Sequence, residues 1–216
     1  MEPQAESSPR ISVIIVDDDR YAREALRLLL EGPEIEVIAS CESPEDCLDA
    51  LTLRPPQVAL VDMQMQGDPY AGVTLIDQIR ALSPATACIA LTASDRRGDQ
   101  LPKAFYAGAH GYYRKGYVLG AELPRIVKRV AAGAWELDPE MAERILRDSE
   151  PTASSSFTTY ERDMLQRIAS GASADNLAAT YHEHETTIYT SIRNIIGKAQ
   201  AARSAEINRL SLGHID

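Results

Sequence analysis

The chain predicts an α/β fold in which a doubly wound, five-stranded parallel sheet is followed by a small all-α domain. Three observations carry that expectation. Short apolar, β-branched runs alternate with helical stretches over the first 130 or so residues, the pattern of successive βα units. Four of the runs stop at a polar residue: ISVIIV at Asp17, Asp18 and Asp19, VALV at Asp62, CIAL at Thr92 and GYYR at Lys115. After a Ser/Thr/Pro-rich break at residues 149–157, the remainder reads as short helices.

A polar tail, residues 1–10, precedes the first strand, ISVIIV. Asp19 reads as the cap of the helix over 21–31, where Ala22, Ala25, Leu26 and Leu29 have helical spacing and Gly32-Pro33 makes the stop. IEVIA, residues 35–39, is a short second strand. Ser43-Pro44, a cap with proline in the first helical position, opens a helix to Leu53 that Arg54-Pro55-Pro56 ends. The third strand runs to Asp62, a loop covers 63–71, and a helix from Gly72 to Leu82 stops at Ser83-Pro84. The strand to Thr92 leads to a weak helix over 100–107 containing Pro102. The strand to Lys115 and a helix from Leu119 to Ala132 complete five βα units.

Asp138-Pro139 opens a further helix to Asp148. Thr158 and Glu161 have capping-box spacing ahead of a helix that Gly171 ends, and Ser173 caps a second. A third helix is expected over 185–199 and a fourth over 205–210. The organisation is therefore a tail at 1–10, an α/β domain at 11–135, a linker helix and linker at 136–156, and a helical domain at 157–216.

Composition narrows the function. Net charge is −10, and no apolar run approaches the ~18 residues of a membrane span. The polar start offers no signal peptide, so a cytoplasmic protein is expected. Cys41, Cys47 and Cys88 lack metal-ligand spacing and read as reduced, buried thiols. Residues 1–156 hold 16 Lys/Arg against 25 Asp/Glu, and residues 157–216 hold 6 against 7. Neither part has the basic excess that usually accompanies nucleic-acid binding.

The four strand ends share one edge of a parallel sheet, where ligands bind in open α/β folds. Asp17, Asp18 and Asp62 clustered there repel one another, and a hard, oxygen-seeking cation such as Mg²⁺ relieves the repulsion. A carboxylate in that setting can attack phosphorus and form an acyl phosphate. Lys115 and Thr92 supply an ammonium and a hydroxyl for the phosphoryl oxygens. A phosphatase of the haloacid-dehalogenase type wants a second acid two residues after the nucleophile, where this chain has Gln64; an enzyme is not expected.

IIVDDDR, VALVDMQM, ALTAS and AGAHGYYRK resemble the receiver domain of two-component response regulators over about residues 11–133. The resemblance implies the flavodoxin-like form of the fold and a histidine kinase that phosphorylates Asp62. It also implies Mg²⁺ held by Asp17, Asp18, Asp62 and the backbone carbonyl of Gln64. Thr92 and Lys115 match the switch hydroxyl and lysine. Tyr112 matches the aromatic switch position, and on its own reads equally as a half-buried strand tyrosine. The chain departs from the pattern at Gln66 and Gly116, both prolines in many relatives, and in the loop QGDPYAGV, about two residues longer than is typical.

FTTYERDMLQRIASGASADNLAATYHEHETTIYTSIRNIIGK resembles the LuxR-type helix-turn-helix of NarL/FixJ regulators. That implies a homodimer reading DNA half-sites, with the 185–199 helix in the major groove. Its contacts would come from Thr187, Tyr189, Thr190, Arg193, Asn194 and Lys198, with Thr186 as a further phosphate contact. The chain has Asp175 and Tyr189 where relatives carry lysine, Ser191 where histidine is frequent, His184 at the usual serine cap, and Glu183 at an apolar core position. Fewer cations weaken phosphate neutralisation, which dominates DNA affinity. A phospho-signalling adaptor, with the helices binding protein instead of DNA, is therefore the alternative.

Overall fold

A computed structural model describes residues 9–93, 100–118, 122–148 and 157–212. Most of the expected tail and all but Phe157 of the Ser/Thr/Pro-rich break lie outside those residues. The chain divides into two compact units, Met1–Ala132 and Gly133–Asp216.

The first unit alternates strands and helices: β1 (Ile11–Val16), α1 (Arg20–Leu30), β2 (Ile35–Cys41), α2 (Pro44–Leu53), β3 (Val58–Asp62), α3 (Ala71–Leu82), β4 (Ala87–Thr92), α4 (Gln100–Ala107), β5 (Gly111–Arg114), α5 (Lys115–Val118) and α6 (Glu122–Ala131). All neighbouring strands pair in parallel, in the order β2-β1-β3-β4-β5. The chain steps from β1 to one side and then resumes on the other, so the winding reverses between β1 and β3. In open sheets the ligand crevice lies at that reversal, outside the carboxyl ends of the strands.

Side-chain alternation sorts the strand residues into two cores. Val13 and Ile15 join Leu26, Leu30, Leu60, Ile89, Leu123 and Val127 on the face of α1 and α6. Ile14 and Val16 join Cys47, Leu51, Val61, Leu75, Ile76 and Ala104 on the face of α2, α3 and α4. The three inner strands, β1, β3 and β4, are buried along most or all of their length, which is why they read as continuous apolar runs, while the edge strands β2 and β5 are only partly buried.

The expected elements of this unit stand at their places, with small changes at the ends. β2 runs on to Cys41, and β5 stops at Arg114, so Lys115 opens α5 instead of closing the strand. Pro102 is accommodated because it lies in the first turn of α4, where its missing N–H has no intrahelical acceptor to lose. The expected start of the last helix at Leu119 lies outside the described residues.

In the second unit, α7 (Pro139–Asp148) packs on α8 (Thr159–Ala169), followed by α9 (Ala174–Tyr181) and α10 (Glu185–Leu212). Thr158 with Glu161 and Ser173 with Asn176 both form capping boxes. One expectation is corrected: the helices anticipated at 185–199 and 205–210 are a single helix. Residues 200–204 (Gln-Ala-Ala-Arg-Ser) contain no glycine or proline, so nothing breaks the α10 hydrogen-bond ladder, and Ser204, a residue type that caps helices, lies inside the helix. Ile188, Ile192, Ile195, Ile196 and Ala199 are buried at helical spacing and form the α10 side of this core. No described helix is long and apolar enough to cross a membrane.

Candidate functional site

Asp17 follows directly on β1 and is 1% exposed. Its backbone is fixed on both sides: its N–H donates to the Cys41 carbonyl at 3.2 Å and its carbonyl accepts from Arg23 at 2.6 Å. One carboxylate oxygen accepts the Asp19 N–H and the other lies 2.5 Å from the Lys115 ammonium. Asp19 turns away and caps α1, accepting from the Tyr21 and Ala22 N–H groups. Asp18 stays exposed between them.

Asp62 closes β3 and is 5% exposed, with the Lys115 ammonium 3.0 Å from its Oδ1. Burial pushes its carboxyl up to about 6, a rise that the neighbouring Lys115 partly offsets. Burial also opposes the charge on Lys115, but its bonds to Asp17 and Asp62 outweigh this and hold it above the ordinary lysine value. Asp17, Asp18 and Asp62 each offer an oxygen within 4.8 Å of the others. Three carboxylates against one ammonium leave an electronegative pocket of oxygen donors, without histidine or cysteine in the group. That donor set fits a hard divalent cation such as Mg²⁺ and does not resemble a zinc site.

Thr92 ends β4, 3% exposed, next to the strand that carries Asp62. Tyr112 lies on β5, half-buried against the α2–α4 core, and its hydroxyl donates to Gln100 Oε1 at 3.4 Å. Gln64 is exposed two residues past Asp62. The chain then makes a tight hairpin: Met65 and Asp68 exchange backbone hydrogen bonds, and Gln66 and Gly67 both have positive φ, 53° and 80°. Two successive left-handed residues are the signature of a type I′ turn. The Gln66 N–H points back to the pocket and donates to Asp18 Oδ2 at 2.6 Å. Proline at that position would have no such donor.

Gly72 sets how closely α3 approaches the site. A Cβ there would lie 2.2 Å from the Asp62 carbonyl oxygen and 2.7 Å from Met63 Cα. Only glycine allows this contact, and it puts the start of α3 against the backbone of Asp62.

In the second unit, Thr186, Thr187, Thr190, Arg193 and Asn194 are exposed along one side of α10, opposite its buried isoleucines, and Tyr189 is half-buried. Lys198 is not free: its ammonium bonds both carboxylate oxygens of Glu161, which is 9% exposed. Among the described residues Arg193 has no ion-pair partner. Glu183, the acid at an apolar position, accepts the Tyr160 hydroxyl at 2.9 Å, so the substitution carries its own donor.

Residues 13–128, more than half of the chain, match the response regulator receiver domain. The chain belongs to that family. Similarity extends beyond the receiver. A nitrate/nitrite response regulator homologue of Haemophilus influenzae is 29% identical, the match covering 88% of this chain and 90% of that protein. The DNA-binding transcriptional activator DevR/DosR of Mycobacterium tuberculosis is 27% identical over 91% of both chains. The crystal structure of a LuxR-family two-component response regulator from Aurantimonas sp. SI85-9A1 is 25% identical, with a TM-score of 0.55, over 65% of this chain and 98% of that one. A receiver of flavodoxin-like topology followed by a LuxR-type helical unit makes this a response regulator of the NarL/FixJ type.

Five contacts of this response regulator have no local sequence signal: Asp18 with Gln66, Gln100 with Pro69, Gln100 with Tyr112, Glu161 with Lys198, and Tyr160 with Glu183. Each joins residues from different elements or loops. The closest to a signal is Glu183, an acid at an apolar core position that demanded a buried donor.

Proposed function

We propose that this response regulator is phosphorylated on Asp62 by a histidine kinase and acts from the cytoplasm as a DNA-binding, homodimeric regulator of transcription. The observation that carries the proposal is the pocket itself, in which Asp17, Asp18 and Asp62 converge within 4.8 Å around the single ammonium of Lys115. Buried, uncompensated negative charge is costly. A pocket that retains it is built for a ligand that brings positive charge and a phosphoryl group.

In the proposed reaction an Asp62 carboxylate oxygen attacks phosphorus, a P–O bond forms, the P–N bond of the kinase phosphohistidine breaks, and the leaving imidazole nitrogen takes a proton. Asp17, Asp18, Asp62 and the Gln64 carbonyl would hold Mg²⁺, which when bound neutralises phosphoryl charge. Lys115 is placed to pair with one phosphoryl oxygen by moving from Asp17, and the Thr92 hydroxyl donates to another. Withdrawal of Thr92 toward the phosphoryl group leaves room beside β5, and Tyr112 turns into it, reshaping the surface of the last βα units.

For the output, Thr187, Thr190, Arg193 and Asn194 form the exposed DNA-reading side of α10, with Tyr189 at its margin. Lys198 reaches DNA only if it leaves Glu161. This observation favours the adaptor reading, because Arg193 is then the one cation of the proposed contact set that has no ion-pair partner. Genome-wide recovery of bound DNA, with and without a small-molecule phosphodonor, separates the two. A regulator yields specific sites whose recovery depends on the phosphodonor and is lost in Arg193→Ala. Equal recovery from Arg193→Ala and the parent means the helical unit acts through protein.

A further inference from the structure

We propose that Gln100 is a positioning residue of the phosphoryl switch, the far anchor of a strap made by the loop that follows Asp62. The proposal rests on the reading of Asp17, Asp18 and Asp62 as the cation and phosphoryl site. The near end of the strap is the Gln66 N–H held by Asp18 Oδ2 at 2.6 Å. At the far end the Pro69 carbonyl accepts from Gln100 Nε2 at 2.8 Å, and the Tyr70 ring lies 3.6 Å, centroid to nitrogen, from the Lys103 ammonium. The other atom of the same amide, Gln100 Oε1, accepts the Tyr112 hydroxyl. One side chain on the first turn of α4 thus joins the loop to the aromatic switch residue.

Between its ends the strap is stiff. The Met65–Asp68 bridge closes it, the two positive φ values fix its turn, and the Asp68 carboxylate accepts the Tyr70 N–H at 2.8 Å. A left-handed residue other than glycine is strained, so Gln66 depends on its bond to Asp18. A cation that takes the Asp18 carboxylate draws off the negative charge that holds the Gln66 N–H and so weakens that bond. Loss of that bond loosens the near end of the loop, and a stiff loop carries the change to Pro69 and Gln100. Linkage requires the reverse: cutting the far anchor must alter cation affinity at the near one. The longer loop and the missing proline at position 66, departures from the family pattern, are the parts that make this second route from the pocket to α4 and Tyr112.

Mg²⁺ alone, without phosphodonor, is the probe, used on the full chain. Calorimetry reads its affinity, and amide exchange reads residues 66–70 and 100–107. In the parent protein Mg²⁺ raises exchange in both segments. Gln100→Ala binds Mg²⁺ about fivefold more tightly, within the usual range of such couplings, and no longer passes the change to 100–107, while exchange in β1 and β3 stays as in the parent. Gln100→Glu, which keeps the acceptor for Tyr112 and removes the donor for Pro69, behaves like Gln100→Ala. Parent-like affinity together with a parent-like response at 100–107 in both variants overturns the strap and leaves the acidic site standing. Failure of the parent to bind Mg²⁺ overturns the strap and the reading of the site together.

Discussion

The Lys198 ammonium donates to both carboxylate oxygens of Glu161, at 2.9 and 2.7 Å, across 37 residues of chain. Glu161 also completes the capping box of α8. Burial pushes its carboxyl up, but the bonds from Lys198 and Thr158 outweigh this and leave it below the ordinary carboxylate range. The pair therefore ties α10 to the first turn of α8. Lys198→Ala is expected to destabilise the helical unit by about 1–3 kcal/mol, the usual cost of losing hydrogen bonds to a charged group. Urea unfolding of Lys198→Ala, Glu161→Gln and the double variant tests this: the double should cost less than the sum of the singles, and strict additivity would show that the two do not act together.

Gly72→Ala must push α3 away from β3, because the added carbon would meet backbone atoms of Asp62 and Met63. Overpacking of this kind costs roughly 1–3 kcal/mol. Thermal unfolding should register the loss, and phosphodonor labelling should slow more than it does in Gly116→Ala, where the added Cβ meets open space. Equal labelling rates in the two variants would separate α3 placement from the chemistry.

Asp62→Asn should stabilise the metal-free protein at neutral pH. The folded state raises the Asp62 carboxyl from 3.8 to about 6, so holding it ionised opposes folding by at most about 3 kcal/mol. That cost is already net of the ion pair to Lys115; the amide removes it but is itself a buried polar group, so a gain of about 1–2 kcal/mol is expected. Denaturant unfolding in the presence of a chelator measures it, and a less stable Asp62→Asn protein would contradict the electrostatic account of the pocket.

His110 gives the first unit an acid sensitivity that can be assigned to one residue. It is 7% exposed, and its Nδ1 accepts the Cys88 N–H at 3.2 Å. Burial pushes it down from 6.5 to about 3. The unfolded chain therefore binds a proton below pH 6.5 that the folded protein refuses until about pH 3. Stability from this residue is complete above pH 6.5 and falls as pH drops through that window, by about 2–3 kcal/mol at pH 4.5. Comparison of unfolding free energies at pH 7 and 4.5 should show a slope smaller by that amount in His110→Gln. The same slope in both proteins would place the acid sensitivity elsewhere.

What could be read from the sequence was what local chemistry decides. Asp17, Asp62 and Thr92 were found because each ends an apolar run, and in a parallel sheet strand ends converge. Ser43, the Thr158/Glu161 box and Ser173 were found because a cap and its partners lie within one turn of helix. Contacts set by tertiary packing could not be found that way. The pairing of Lys198 with Glu161 could not be read, because the two lie 37 residues apart. Gln66 read as a missing proline, although the turn it enters gives its N–H a partner that proline could not provide. The continuity of α10 past Ala199 was missed because two short helices were read there, although the stretch between them has no glycine or proline to break the ladder.

The proposed switch stands or falls with Asp62 as the phosphoryl acceptor. The direct measurement is mass spectrometry of the full chain after incubation with a small-molecule phosphodonor and Mg²⁺, with the modified residue located by peptide fragmentation. One phosphoryl group on Asp62, absent when a chelator replaces Mg²⁺ and absent in Asp62→Asn, is the predicted result. A phosphoryl group on another residue, or one that persists in Asp62→Asn, would contradict it.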